Sequence, residues 1–146
     1  MSSVEGLQAG RWIYAEPPLE EGDVFAGTEI LIARMDEEGT TGFVMNRPMG
    51  RLLTDLVEFA DATEWPLYWG GPVASDQLFI WHCRPELIAG GLPCVHGFML
   101  GGQMADVLEA LRQGQLERHE LRLFVGYTGW GQGQLESEFE AGYWRL

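Results

Sequence analysis

Leu121-Arg122-Leu123-Phe124-Val125-Gly126-Tyr127-Thr128-Gly129-Trp130-Gly131-Gln132-Gly133-Gln134-Leu135-Glu136 is the stretch whose reading decides the fold. It begins as an apolar run of strand type, Leu121 to Val125, crosses four glycines at short intervals, and enters a helical pattern in which Leu135 and Phe139 share a face at i, i+4. Glycine this dense marks backbone that turns tightly or is approached closely. Aromatic and amide side chains alternate with the glycines, as in a shaped, polar-lined surface. The expectation is a strand, a glycine loop from 126 to 134, and a short helix.

Outward from this stretch the chain alternates short strands with two longer apolar patterns. Arg11 to Ala15 reads as a strand closed by Pro17-Pro18. Glu29 to Met35 reads as a buried strand, and Gly42 to Asn46 as its hairpin partner across Asp36-Glu37-Glu38-Gly39. Leu52, Leu53, Leu56, Val57 and Ala60 fall on one helical stripe, which predicts a helix over 51–60. Leu67 to Trp69 and Leu78 to His82 are strand candidates joined through Gly70-Gly71-Pro72. Met104, Val107, Leu108 and Leu111 predict a second amphipathic helix ending near Gly114. Strands that follow one another without intervening helices argue for α+β rather than a doubly wound sheet.

Composition removes several functional classes. A chain of 146 residues fits one domain with a core that needs neither disulfides nor metal, so residues 1–146 are expected to fold together. The net charge is −13, from 22 acidic residues against nine arginines, and there is no lysine. A nonspecific nucleic-acid binder needs a basic face, so direct nucleic-acid binding is not expected. Without lysine there is no Schiff-base chemistry and no P-loop. No apolar run reaches the roughly 18 residues of a membrane span, and the first residues lack the basic and apolar regions of a secretory signal. The expected location is the cytoplasm, with no membrane partner.

Candidate chemistry concentrates in a few places. Gly129, Gly131 and Gly133 precede a helix start, where backbone N–H groups suit a carboxylate or phosphate. A purely structural alternative is a tryptophan-packed turn braced by Gln134 and Glu136. The spacing is not a dinucleotide fingerprint, because G-x-G-x-x-G is absent. Arg47, beside Asn46 and before Pro48, is the best candidate for a functional charge, since guanidinium binds oxyanions bidentately. Its alternative is a simple turn. His82, Cys83, Cys94 and His96 lack zinc-site spacing, and neighbours 82 and 83 on a strand point to opposite faces, so no metal is expected. Ser75 lies in no nucleophile elbow, and Glu136 and Glu138 are poorly spaced for shared acid–base work.

Four motifs in this order resemble the YqgE/AlgH family of bacterial proteins. They are Gly42-Phe43-Val44-Met45-Asn46-Arg47-Pro48, Gly70-Gly71-Pro72-Val73, Phe79-Ile80-Trp81-His82, and Gly126-Tyr127-Thr128-Gly129-Trp130 with Gly133-Gln134-Leu135-Glu136 and Trp144. The resemblance covers residues from about 10 to 144. It implies a compact α+β domain whose bent mixed sheet forms a pseudo-barrel with a few flanking helices, in the cytosol. It implies no settled activity; some members carry the label of transcriptional regulator, which is not itself a chemistry. Family members usually continue past the tryptophan matching Trp144 with another strand and a helix, whereas this chain stops at Leu146. Where many members carry an acidic residue and a histidine, this chain has Arg34-Met35.

The reading favours a non-catalytic binding or regulatory domain without a cofactor. Its expected surface comprises Asn46, Arg47, Gly70, Gly71, His82, Tyr127, Gly129, Trp130, Gly131, Gly133 and Gln134. The expected partner is a protein or a small anionic ligand. The alternative is an enzyme of unassigned class acting on a small anionic substrate, with Arg47, His82, Tyr127 and Gln134 converging in one pocket. A homodimer is also expected, from the short C-terminus and from Tyr143 and Trp144 read as exposed aromatics.

Overall fold

The computed structural model describes residues 6–16 and 25–146. The Pro17-Pro18 stop and most of the acidic cluster from Glu16 to Asp23 therefore lie outside the described residues. Among the described residues ten strands and two α-helices are formed: β1 (Trp12–Ala15), β2 (Glu29–Asp36), β3 (Gly39–Val44), β4 (Pro48–Leu52), β5 (Pro66–Trp69), β6 (Val73–His82), β7 (Leu92–Pro93), β8 (Met99–Leu100), α1 (Met104–Arg112), β9 (Leu121–Gly131), α2 (Gln134–Glu140) and β10 (Trp144–Arg145). The strands hydrogen-bond in the order β10-β1-β2-β3-β9-β6-β8-β7, with β4-β5 joined as a branch on β9. Pairing is antiparallel except between β5 and β9, so the sheet is mixed.

The long strand β9 organises the molecule. Its first half, Leu123 to Val125, lies between β5 and β6; its second half, Thr128 to Gly131, pairs with β3. The exchange of β5 for β3 as neighbour takes place around Gly126. There β9 crosses Gly70-Gly71 so closely that a Cβ on Gly71 (φ +153°) would overlap the backbone of Tyr127, and one on Gly126 (φ +76°) would overlap the carbonyl of Gly71. The Thr128 hydroxyl donates to the Gly70 carbonyl at 3.0 Å, which closes the crossing.

Residue alternation along the strands splits the apolar side chains between two faces. On one face Phe43 stacks on Phe124 with centroids 4.6 Å apart, and Leu31, Ala33 and Trp81 complete the cluster. The opposite face divides in two. Leu67, Ile80 and Leu123 pack with Val107, Ala110 and Leu111 of α1. Ile13, Ile30 and Ile32 pack with Trp130, Trp144 and the α2 residues Leu135 and Phe139.

Two expectations are corrected. Residues 51–60 are not a helix: the chain pairs Pro48 and Leu52 with β5, then makes single 3-10 turns at Leu53–Asp55 and Val57–Phe59. Pairing with β5 and a hydrogen bond from the Leu53 amide to the Trp65 carbonyl at 2.8 Å outweigh the helical pattern, and Val57 of the predicted stripe is 90% exposed. The Asp55 carboxylate, accepting from the Leu52 N–H at 2.8 Å, holds the first turn. Nor is 126–134 a loop throughout, because β9 continues to Gly131 before a turn at Gln132-Gly133. Its glycines serve a strand crossed at close quarters by other backbone. The β2–β3 hairpin, α1 and α2 form where the sequence places them.

Candidate functional site

Where β3 meets the second half of β9, the surface is concave. The cleft has a volume of about 300 Å³ and is lined by Arg34 and Asp36 of β2, Thr40 and Thr41 of β3, and Tyr127 and Trp130 of β9, with Gly129 in its wall. Tyr127 is fixed edge-on against Phe79, with centroids 5.4 Å apart. Trp130 is buried, its ring edge-on to Trp144 at 5.7 Å. Arg34 is largely exposed and only loosely paired with Asp36, at 3.5 Å. Glu38 also lines the cleft, so it carries one cation against two carboxylates.

Side chains already engage the backbone beside the cleft at Gly131. The Gln134 side-chain oxygen accepts from the Gly131 N–H at 2.9 Å, and its amide donates to Glu138 at 3.0 Å. The other Glu138 oxygen accepts from the indole N–H groups of both Trp130 and Trp144, at 3.2 and 2.9 Å. Gly133 supplies the left-handed residue (φ +75°) that starts the seven-residue α2. Tyr127, Gly129 and Trp130 thus line the cleft, while Gly131, Gly133 and Gln134 form the brace behind it.

The remaining predicted residues sit elsewhere. Asn46 bridges two backbone groups, accepting from the Glu29 N–H and donating to the Gly27 carbonyl, each at 3.0 Å. Arg47 donates to the Ala26 carbonyl at 2.8 Å and lies 5.6 Å from the centroid of Trp69. Together they fasten 26–29 to the sheet. Gly70 and Gly71 occupy the crossing under β9. His82 has no accessible surface. Its Nδ1 accepts from the Arg84 N–H at 3.1 Å, which assigns the ring proton to Nε2, and Nε2 makes no hydrogen bond. Burial pushes the His82 pKa down, opposed by the nearby Gly101 carbonyl and Glu86. Of the four side chains expected to converge, only Tyr127 lines the cleft.

Cys94 Sγ donates to the Ala33 carbonyl at 3.1 Å, and His96 Nε2 lies 2.8 Å from the Gly10 carbonyl. Trp144, expected to be exposed, is 5% exposed because it packs on Trp130 and Phe25; Tyr143 is 52% exposed. The aromatic argument for a homodimer therefore loses Trp144.

One feature escaped the sequence reading. At the start of β9 a second pocket, of about 280 Å³, is lined by Trp65, Tyr68, Arg118, His119 and Arg122. Arg118 lies 5.2 Å from the Trp65 ring centroid and Arg122 lies 4.0 Å from that of Tyr68. These partners are about 50 residues apart in the chain, so no local pattern announces them.

A family model described as AlgH-like matches residues 12–146. A UPF0301 protein of Chlorobium phaeobacteroides is 37% identical over 146 residues, covering 100% of this chain and 78% of the relative. A UPF0301 protein of Chlorobaculum tepidum is 34% identical over 140 residues, covering 96% of this chain and 74% of the relative. The solution structure of the AlgH protein from Pseudomonas aeruginosa superposes with a TM-score of 0.71 at 29% identity, covering 92% of this chain and 73% of that one.

Proposed function

The chain belongs to the AlgH-like family, and from that premise we propose that it is a cytoplasmic binding domain whose recognition surface is the β3–β9 cleft and whose role is regulatory. The supporting observation is the lining itself. Three of the residues singled out by their motif, Tyr127, Gly129 and Trp130, meet there with the exposed Arg34. Rigid aromatic walls with a few polar groups are the usual make-up of a small-ligand site. The lining holds no histidine, cysteine or serine, and of its two carboxylates Asp36 stands beside Arg34. With one positive and two negative groups, the cleft suits a polar ligand carrying a cationic group rather than a simple anion. The net charge of −13 disfavours direct contact with DNA, so regulation would run through a ligand or a protein partner.

The enzymatic alternative needs Arg47, His82 and Gln134 available to substrate. Arg47 and Gln134 are engaged in backbone and side-chain hydrogen bonds, and His82 is enclosed. The test is thermal unfolding against a panel of amino acids, dipeptides, polyamines and nucleosides, with Tyr127→Ala and Asp36→Asn alongside. A ligand at about 100 times its dissociation constant adds roughly 2.7 kcal/mol. A stabilising ligand whose effect disappears in both variants supports the reading. A panel without response, or a response indifferent to both substitutions, overturns the cleft as a small-ligand site.

A further inference from the structure

We propose that the pocket at the start of β9 binds a compact oxyanion, and that a phosphate group is its ligand chemistry. The pocket lies at the opposite end of β9 from the cleft, and its lining contains Arg118, His119 and Arg122 but no carboxylate. That is an exception in a chain of 22 acidic residues. Arg34, Arg84, Arg112 and Arg145 each pair with a carboxylate, and of the lining residues His119 stands 3.5 Å from Glu117, whereas among the described residues Arg118 and Arg122 form no ion pair.

Both guanidinium groups rest on aromatic rings without an ion pair among the described residues. Arg118 rests against Trp65, which is itself fixed by an indole hydrogen bond to the Leu121 carbonyl at 3.3 Å. Arg122 rests against Tyr68 and gives one of its five donors to the Met45 carbonyl, at 2.8 Å. A guanidinium supported on a ring keeps its N–H fork for an oxyanion, and for Arg122, held by both a ring and a carbonyl, less side-chain freedom remains to be lost on binding. Two such forks around one cavity match the oxygens of a phosphate, which accepts bidentate pairs.

Size and field both favour a compact ligand. A volume of about 280 Å³ corresponds to about nine waters at roughly 30 Å³ each, room for a phosphate carrying a few further atoms. At physiological salt the screening length is about 8 Å. A small ligand inside the pocket therefore lies nearest the two arginines, with Glu117 held off beside His119, whereas a longer polyanion would extend over an acidic surface.

The experiment is calorimetric titration with inorganic phosphate and with pyrophosphate at about 0.1 M ionic strength, beside a 12-nucleotide single-stranded DNA. Saturable binding of phosphate or pyrophosphate is expected. The affinity should fall at least tenfold in Arg118→Gln and in Arg122→Lys and stay unchanged in Arg112→Gln, whose arginine lies on α1. Apo melting curves identify any variant that fails to fold; Arg118 is exposed, so Arg118→Gln decides the matter should Arg122→Lys unfold. The proposal is overturned by absence of saturable binding, by affinity undiminished in Arg118→Gln, by equal loss in Arg112→Gln, or by DNA binding tighter than pyrophosphate.

Discussion

The two ends of β9 solve opposite problems with similar materials. At its C-terminal end two tryptophans surround a carboxylate, and their donors are consumed: Glu138 takes both indole N–H groups and the Gln134 amide. At its N-terminal end a tryptophan and a tyrosine carry arginines that pair with no carboxylate among the described residues. The glycine-rich end looks like an anion site in the sequence, yet its Gly131 N–H and both indoles are already bound by Gln134 and Glu138. The end without a motif holds the open cations. What differs is how the acidic residues are used: Asp36 and Glu38 line the cleft at one end, whereas at the other Glu117 stands beside His119 and Glu120 pairs with Arg84, both outside the pocket lining.

The largest effect should come from breaking the crossing that separates the two ends. Gly126→Ala places a methyl against the Gly71 carbonyl at a positive φ, and neither backbone can yield without shifting β5 or β6. Overpacking and strain together predict a loss of about 3 kcal/mol or more, read from the urea midpoint. Glu138→Ala is next. It leaves two largely buried indole N–H groups without their acceptor and should cost about 2 kcal/mol, with little effect on phosphate binding at the far end.

A smaller effect depends on pH. Burial holds His82 below its ordinary value of 6.5, so between the two values the unfolded chain binds a proton that the folded chain does not. Its contribution is whole above pH about 6.5 and is lost as pH falls below that. Melting temperature should therefore decline from pH 7 to pH 5, and less steeply in His82→Gln. The decline from Glu86 and Glu120, whose pKa values are lowered by hydrogen bonds to Arg84 and the Glu117 backbone, belongs to more acid solutions, below about pH 4.5. Arg118→Gln should have the smallest effect on stability, within about 0.5 kcal/mol, as expected of an exposed side chain. A large loss there would mean that the cation supports the fold, and the contrast between the two ends would fail.

Local pattern carried much of the architecture. The β2–β3 hairpin is written in the apolar run from Glu29 and its acidic turn, and α1 in the spacing of Met104, Val107 and Leu111. Residues 51–60 misled because leucines at helical spacing serve equally well for 3-10 turns over a core, and the deciding partners, Trp65 and Pro66, lie outside the segment at the start of β5. The glycines misled for a related reason. A sequence records that backbone is approached at Gly126, but not that the visitor is Gly71. Of the candidate site, Tyr127, Gly129 and Trp130 were legible as motif residues; Arg34 in the cleft and the pairing of Arg118 and Arg122 with Trp65 and Tyr68 exist only after folding.

The placement of the tryptophans gives each end of β9 its own optical reporter. Trp130 lines the cleft and shares its carboxylate acceptor with a second indole, while Trp65 lines the basic pocket beneath a guanidinium. Occupancy at one end would change the emission of one ring and leave the other undisturbed, so variants keeping only Trp65 or only Trp130 would report which site a ligand has entered without any label.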